Sequence, residues 1–473
     1  MELTFWGAAQ QVTGSMFLLT LEDEYRILID CGIDMGNLSE TMPLYPGSNF
    51  PFDASLVNLV LLTHAHLDHS GKIPNLYREG FEGQVLCTSP TMALTELLLL
   101  DSASINQKKL KAYHRKLSKG MAPEDFNFDP RDLYVEKDVY KAVDRFVPIQ
   151  FHRRFNVKHG VHVTFIPTGH LLGAANILLE VEENGETKSI MFSGDIGRSN
   201  YPLLQDPHTV PQVDYLICET TYGNREHQSI QDATEAVEDV IRRTCIDKPG
   251  RLIIPAFSIG RTQAIIYTLH KLYAENKLPP IKIFADSPLA QRSNVVYEKY
   301  TGFLNEEAND FKREHGSLFR FDTVQYVEAM KDSQAIDNYH EPCIIISSSG
   351  MMEGGRIQHH IRANMENSYC TILMVGYSAE GTLGNRLLNS NGNIRIGTRE
   401  YPIKANIEQT DSFSGHGDIH DLLKFVRQQD KVQTKKIFLV HGEGSSMEDF
   451  KSTLNKEGYN QVEIPEKGQK YQL

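Results

Sequence analysis

Thr63-His64-Ala65-His66-Leu67-Asp68-His69-Ser70-Gly71 follows directly on the apolar run Leu56-Val57-Asn58-Leu59-Val60-Leu61-Leu62. The run reads as a buried strand, so three imidazoles and one carboxylate are delivered within six positions to the loop at its tip. Neutral imidazole and carboxylate are the ligands of open, catalytic zinc sites, whereas structural zinc sites favour thiolates. Residues two apart can lean toward one metal, and the Asp68-His69 pair that follows can lean toward a second. The plain alternative is a polar loop of satisfied histidines. For a lone histidine it would be preferred, but four such groups clustered after a strand argue for a metal site.

Working outward, the same pattern recurs. Thr164-Phe165-Ile166-Pro167-Thr168-Gly169-His170-Leu171-Leu172-Gly173 is a strand ending in a histidine, bracketed by glycines that let the backbone turn closely. Ser189 to Arg198 is a strand ending in Asp195, and Tyr25 to Gly32 is one ending in Asp30. Together these stretches resemble the motifs of the metallo-β-lactamase superfamily, with Asp30 in the first, His64 to His69 in the second, His170 in the third and Asp195 in the fourth. The resemblance implies an α/β fold, an αββα sandwich of two mixed sheets with helices outside and the site on loops at the sheet edge. It further implies two Zn2+ per chain, with His64, His66 and His170 on one zinc, Asp68 and His69 on the other, and Asp195 bridging. By the same resemblance Asp30 supports the metal loop through hydrogen bonds and does not bind metal.

Three later stretches narrow the family. Glu219-Thr220-Thr221-Tyr222-Gly223 after a strand is similar to motif A of the β-CASP branch, Ser412-Phe413-Ser414-Gly415-His416-Gly417-Asp418 to motif B, and Phe438-Leu439-Val440-His441-Gly442-Glu443 to motif C. Gly417 stands where alanine is common, a change too small to move the imidazole. The branch consists of nucleic-acid-processing nucleases, including the nuclease subunit of the pre-mRNA cleavage complex and its bacterial and archaeal stand-alone relatives. The resemblance therefore implies zinc-dependent hydrolysis of RNA phosphodiester bonds, as endonuclease, 5′-exonuclease or both. Asp68 or Asp195 would orient the attacking water. His441 would complete the shell of the zinc held by Asp68 and His69. His416 would donate a proton to the leaving oxygen, and Glu219 would fix its tautomer and raise its pKa.

Between motifs A and B lie 196 residues, 220 to 415, too long for a loop. Stretches such as Arg251-Leu252-Ile253-Ile254-Pro255, a buried strand, Ile281 to Leu289, a strand and turn, Pro342 to Arg356 and Thr371 to Tyr377 alternate with helical patterns, among them an amphipathic helix over 229–243. This alternation predicts a parallel sheet flanked by helices. The expected domains are 1–222, a first part of the sandwich; 223–397, the inserted β-CASP domain; and 398–473, which completes the sandwich. Within the insert, Ser347-Ser348-Ser349-Gly350 brings three hydroxyls and flexible amides to a helix start, a natural phosphate cradle. The resemblance places this turn against the nucleic-acid backbone. Arg261 and Arg386 are weaker candidates for phosphate contacts, and a turn without ligand is the plain alternative. Residues 91–145 read as helical, and Lys108 to Lys119 is a basic stretch that could meet RNA phosphates or form a solvated helix face.

The chain has 473 residues, 40% hydrophobic and 23% charged, with a net charge of −13. The length favours two or three domains. An acidic balance argues mildly against a polyanionic substrate, although bound cations and a basic face can offset it locally. No apolar run approaches the roughly 20 residues of a membrane span, and no secretory signal opens the chain. The six cysteines are scattered with no CxxC pair, as expected of reduced thiols in a cytoplasmic protein. Single-stranded RNA is the expected partner, and the sequence leaves a homodimer open. A DNA-directed member of the branch and an RNA-binding scaffold of low activity are the rivals. His441 counts against the first, because DNA-directed members tend to carry valine there, and the intact ligand set counts against the second.

Overall fold

The computed structural model of the chain describes residues 1–34, 45, 48–126, 128–227, 233–376, 378, 381–390 and 392–473. They form two compact units. The first comprises Met1–Ser199, Asp206–Glu226 and His416–Leu473, and the second comprises Asn200–Gln205 and His227–Gly415.

The first unit is built on two seven-stranded sheets. One runs in the order Lys470–Gln472, Glu2–Phe5, Phe17–Thr20, Arg26–Ile29, Leu59–Leu61, Gln84–Cys87 and Phe146–Pro148. The other runs Val462–Glu463, Lys436–Val440, Tyr215–Glu219, Glu186–Phe192, Ala175–Glu183, Val161–Pro167 and Phe155–Lys158. Both mix parallel and antiparallel pairings. Side chains alternate faces along a strand, which explains why the central strands read as continuous apolar runs. Ile27, Ile29 and Leu61 point into the shared core with Phe165, Ile177, Leu179 and Phe438. Leu28 and Val60 face the other way, toward Ile73, Leu76 and Ala142. On the far side Leu216 and Leu439 pack under Leu422, Phe425 and Phe450 of the helices Ile419–Val426 and Gly444–Lys456. The expected layering of helix, sheet, sheet and helix is present.

The second unit holds a six-stranded sheet in the order Val324–Tyr326, Lys282–Asp286, Cys343–Ser347, Arg251–Pro255, Cys370–Met374 and Asn406–Gln409, every pairing parallel. Helices such as Arg261–Ala274, Pro288–Lys299 and Ile357–Asn364 connect the strands. A short antiparallel pair, Asn393–Ile396 with Arg399–Pro402, follows. The return to the first unit falls between Gly415 and His416, later than the expected 397/398. The reason is Asn406–Gln409, which adds a parallel edge strand beside Cys370–Met374 and so ties 398–415 to the insert.

Two local expectations change. Residues 91–145 are not helical throughout. The helix Ser89–Leu117 ends before Gly120, and helix resumes at Glu136–Val143. Pro123 and Pro130 lie in the interval, where they open short 3-10 turns. In the insert, helix is described over Ala233–Ile241 and continues into a π-helical stretch Arg242–Asp247. The expected start at Ser229, like the strand end at Tyr377, lies outside the described residues.

Leu179 is fully buried at the centre of the sandwich core. Leu179→Ala should lower the unfolding free energy by about 2–5 kcal/mol, read as a fall in the urea midpoint. Val432→Ala, at a side chain 91% exposed, should shift it by no more than about 0.5 kcal/mol.

Candidate metal centre

Every histidine and aspartate of the expected centre lies at or just beyond a strand end of the first unit. The loop after Leu59–Leu61 is fixed by backbone contacts. Ser15 N–H donates to Asp68 O at 2.8 Å, Cys31 N–H to His69 O at 2.7 Å, and Ile33 N–H to Leu67 O at 2.9 Å. Gly32 permits this, since a Cβ there would sit 1.7 Å from the Asp68 carbonyl oxygen. Asp30, buried and at φ +58°, accepts from Thr63 N–H and Thr63 Oγ1, both at 2.8 Å, and its Oδ2 lies 2.7 Å from His69 Nδ1. One carboxylate thus holds both the start of the loop and the ring of His69. These are the bonds expected of Asp30.

The side chains converge in two clusters. In the first, His66 Nδ1 lies 3.0 Å from His64 Nε2 and 3.2 Å from His170 Nε2. Asp195 Oδ2 lies 3.3 Å from His64 Nε2 and 3.4 Å from His170 Nε2. In the second, His69 Nε2 and His441 Nε2 are 3.2 Å apart, and Asp68 Oδ2 is 3.5 Å from His441 Nε2 and 4.0 Å from His69 Nε2. Asp195 Oδ1 faces this second cluster, 3.2 Å from His69 Nε2 and 3.6 Å from His441 Nε2. Thr221 Oγ1, which the sequence reading passed over, lies 3.0 Å from His441 Nδ1 and so leaves Nε2 for the cluster.

The donor set fits a divalent cation. Tetrahedral zinc with bonds of about 2.0–2.1 Å puts neighbouring ligand atoms roughly 3.3 Å apart, which is the spacing found here. Asp195 Oδ1 is buried and accepts no hydrogen bond, despite its approach to His69. Among the described residues the ion-pair partners of Asp68 and Asp195 are histidines only. Asp195 is a buried carboxylate, and a cation among these ligands would offset the cost of burying its charge.

Titration tendencies differ between the two clusters. Burial pulls the His64, His66 and His170 imidazoles down, His66 to about 3, with neighbouring imidazolium charge adding to it. They are neutral ligands at ordinary pH. Burial also opposes charge on His69, but Asp195 and Asp30 outweigh it and raise that ring well above the usual range. Burial pushes Asp68 and Asp195 toward protonation. The facing histidines more than reverse this, His441 first among them, and both carboxyls stay ionised far below the usual range.

His416 stands beside the clusters. Its Nδ1 is 3.1 Å from Glu219 Oε1, and its Nε2 is 3.9 Å from Asp195 Oδ2. Asp195, Glu219 and His416 are close enough to count as a third donor group. However, Glu219 Oε1 already accepts from Ile196 N–H at 2.7 Å and Oε2 from Thr221 N–H at 3.0 Å, so these atoms face each other and no common centre. Burial lowers the His416 pKa, but the Glu219 carboxylate overrides it and leaves the ring above its ordinary value. The His416 side chain is 17% exposed, against 1–3% for His64, His69, His170 and His441. Gly417 is not interchangeable with alanine in this chain, because a Cβ there would meet Asp421 Cβ at 2.6 Å.

The remaining candidates belong to the second unit. Ser347 is 1% exposed and its hydroxyl donates to the Asp286 carbonyl at 3.2 Å, so it braces the turn and offers nothing outward, contrary to expectation. Ser348 and Ser349 are half-buried, with hydroxyls toward Ser287 Oγ and Gly354 O. Gly350 packs on Phe257, and a Cβ there would sit 3.1 Å from its ring. Arg261 lies over the same ring, 4.9 Å from its centroid. Arg386 is exposed within the helix Leu383–Leu388 and donates to Arg395 O at 3.1 Å.

Asp30→Ala removes the partner that orients His69 and should weaken metal affinity by about 10–100-fold. Competition with a chromophoric chelator measures it, and an unchanged affinity would show that the loop orients His69 by itself.

Comparison with known proteins follows the same division. The family model described as metallo-beta-lactamase superfamily domain matches residues 18–205, the Beta-Casp domain matches 262–387, and the Zn-dependent metallo-hydrolase RNA specificity domain matches 400–465. Ribonuclease TTHA0252 of Thermus thermophilus is 31% identical over 443 residues, covering 94% of this chain and 93% of the relative. Transcription termination factor FttA of Methanosarcina mazei is 29% identical over 96% of this chain and 69% of its own length. Endoribonuclease YSH1 of Yarrowia lipolytica is 28% identical over 95% of this chain and 51% of its own length. With two clusters of metal-type ligands at the strand ends, a parallel-sheet insert before His416, and a relative aligned almost end to end, the chain belongs to the β-CASP branch of the metallo-β-lactamase superfamily.

Proposed function

We propose that this chain is a two-zinc ribonuclease that hydrolyses RNA phosphodiester bonds. The carrying observation is Asp195, which presents Oδ2 to one histidine cluster and Oδ1 to the other. That arrangement suits one carboxylate shared by two cations, His64, His66 and His170 holding the first and Asp68, His69 and His441 the second. RNA as substrate is supported by the names of the relatives, a ribonuclease and an endoribonuclease, and by the RNA specificity domain matched at the carboxyl end. Among the described residues no helix is long and apolar enough to cross a membrane, and all six cysteines are buried free thiols, which supports a cytoplasmic setting.

Two bound zinc ions would lower the pKa of water and offset charge that develops on phosphoryl oxygens. The protein's own part is positional. Asp30 and Thr221 fix the tautomers of His69 and His441. Asp68 and Asp195 are acceptors placed to orient the attacking water. His416 holds a proton on Nε2 while Glu219 accepts from Nδ1, and it delivers that proton to the leaving 3′-oxygen. Ser348 and Ser349, with the amide of Gly350, hold a phosphate of the substrate.

Purified protein given labelled RNA, single-stranded DNA and a chromogenic lactam should cleave the RNA, and cleavage of the lactam alone would overturn the reading. His416→Ala should keep both zinc ions and lose about 10²–10⁴-fold in kcat, whereas His441→Ala should lose or weaken one zinc. The reverse pattern in metal analysis would exchange the two roles. Because Glu219 raises the His416 pKa, the acid form persists to higher pH and the rate should fall as pH rises through that pKa. Glu219→Gln removes the raising charge, so the alkaline limb of the kcat profile should move to lower pH.

A further inference from the structure

The lysines and arginine of the helix Ser89–Leu117 lie on one side of it. Lys108, Lys109, Lys111, Arg115 and Lys116 are exposed along its second half, and Lys119 is exposed just beyond it. At 100° per residue these six cations fall within an arc of about 160°. Asn106 and Tyr113 lie on the opposite side and are buried. There they are tied down, Asn106 Nδ2 to Tyr134 O at 3.2 Å and Tyr113 against the Phe126 ring at 4.6 Å. The face is therefore set by packing and cannot roll inward.

Among the described residues no carboxylate pairs with it. No carboxylate occurs between Asp101 and Glu124, and among the described residues none of the six cations forms an ion pair. An ordinary solvated helix interleaves carboxylates at i+3 and i+4. Here Lys108 with Lys111, Lys111 with Arg115, and Lys109 with Lys116 stack like charges along the rows, which weakens a helix. Cations in a last turn favour the helix dipole, which covers Arg115 and Lys116 but not Lys108, Lys109 and Lys111. Set these six aside and the chain's −13 becomes −19, so the face stands out against an acidic molecule.

We propose that this face binds the phosphate backbone of single-stranded RNA outside the scissile region, a contact that rests on the ribonuclease reading above. The helix begins against the loop that carries His170. Thr88 Oγ1, at its N-cap, donates to Gly173 O at 2.7 Å in the loop that carries His170. With about 1.5 Å of rise per residue, the cations start roughly 30 Å along the helix from that end. A short oligonucleotide filling the metal centre does not reach them, and a long one does. The six are point charges and guanidinium without an exposed aromatic among them, so they read phosphate and carry no base preference.

The test compares kcat/KM on an RNA of about five nucleotides and one of about thirty across a salt series, for the unmodified protein, for Lys108→Gln/Lys111→Gln/Arg115→Gln, and for a control with the same charge change elsewhere, Lys248→Gln/Lys299→Gln/Lys331→Gln. Glutamine retains helix propensity, and circular dichroism checks the fold. The stripe variant should lose about tenfold on the long RNA at low salt and less than twofold on the short one. Its log–log salt slope should flatten by about 2, near 0.7 for each phosphate contact removed. The control should match the unmodified protein. Equal kinetics for stripe variant and unmodified protein on the long RNA, or equal losses in stripe and control, overturn the proposal while leaving the nuclease reading intact. An unmodified protein that cleaves neither RNA overturns both. Loss of poly-glutamate binding with unchanged long-RNA kinetics would assign the face to an acidic protein instead.

Discussion

Asp195 is a buried carboxylate whose two oxygens face different groups of histidines, and the first unit is arranged around the need to keep it there as an anion. Five side chains from four loops, His64, His69, His170, His416 and His441, have a ring nitrogen within 4.0 Å of it. Isolated, such a charge in the interior would be neutralised by protonation. Here the rings of His441 and His69, first among the histidines around it, hold it ionised, and the inward-pointing nitrogens make a cradle for cations. Electrostatics and ligand geometry are one requirement. Any loop that let its histidine turn away would leave both the anion and the cradle short of a partner.

That requirement explains the stiffness of the loops. The chain meets left-handed backbone at Asp30 and His441, with φ of +58° and +50°, where a side chain costs of order 1–3 kcal/mol. Both are held by the bonds they make. Asp30 grips Thr63 and His69, while the His441 amide donates to Ala8 O at 2.7 Å and its ring meets Thr221. Glu219 plays the corresponding part for His416, with both oxygens occupied by backbone amides as well as the ring. His69, His441 and His416 thus each have a partner, Asp30, Thr221 and Glu219 in turn, that fixes the ring.

The insert obeys the same logic with different chemistry. Asp286 ends its strand fully buried, its carboxylate 2.6 Å from Arg356 Nη1 and Ser333 Oγ and 2.7 Å from His360 Nε2. Its carbonyl takes the Ser347 hydroxyl. The effect is to brace the serine turn from beneath, so that Ser347 serves the scaffold while Ser348 and Ser349 stay half-buried.

The local sequence determined a great deal. Strands that end in His64, His170, Asp195, Glu219 and His441 were legible because a buried strand reads as an apolar run and its first polar residue marks the loop. The insert's parallel sheet was legible because its strands, covered on both faces, alternate with helical periodicity. Tertiary structure decided what periodicity does not encode. It gave His416 and His441, which the resemblance to the family motifs had already told apart, their contacts with Glu219 and Thr221. It turned Ser347 inward, moved the return to the first unit past the edge strand Asn406–Gln409, and left five cations of one helix, with Lys119 just beyond it, exposed on a single face without an ion pair among the described residues. These outcomes rest on contacts between residues far apart in the chain, and such contacts exist only once the strands have paired and the loops at their tips are held against one another.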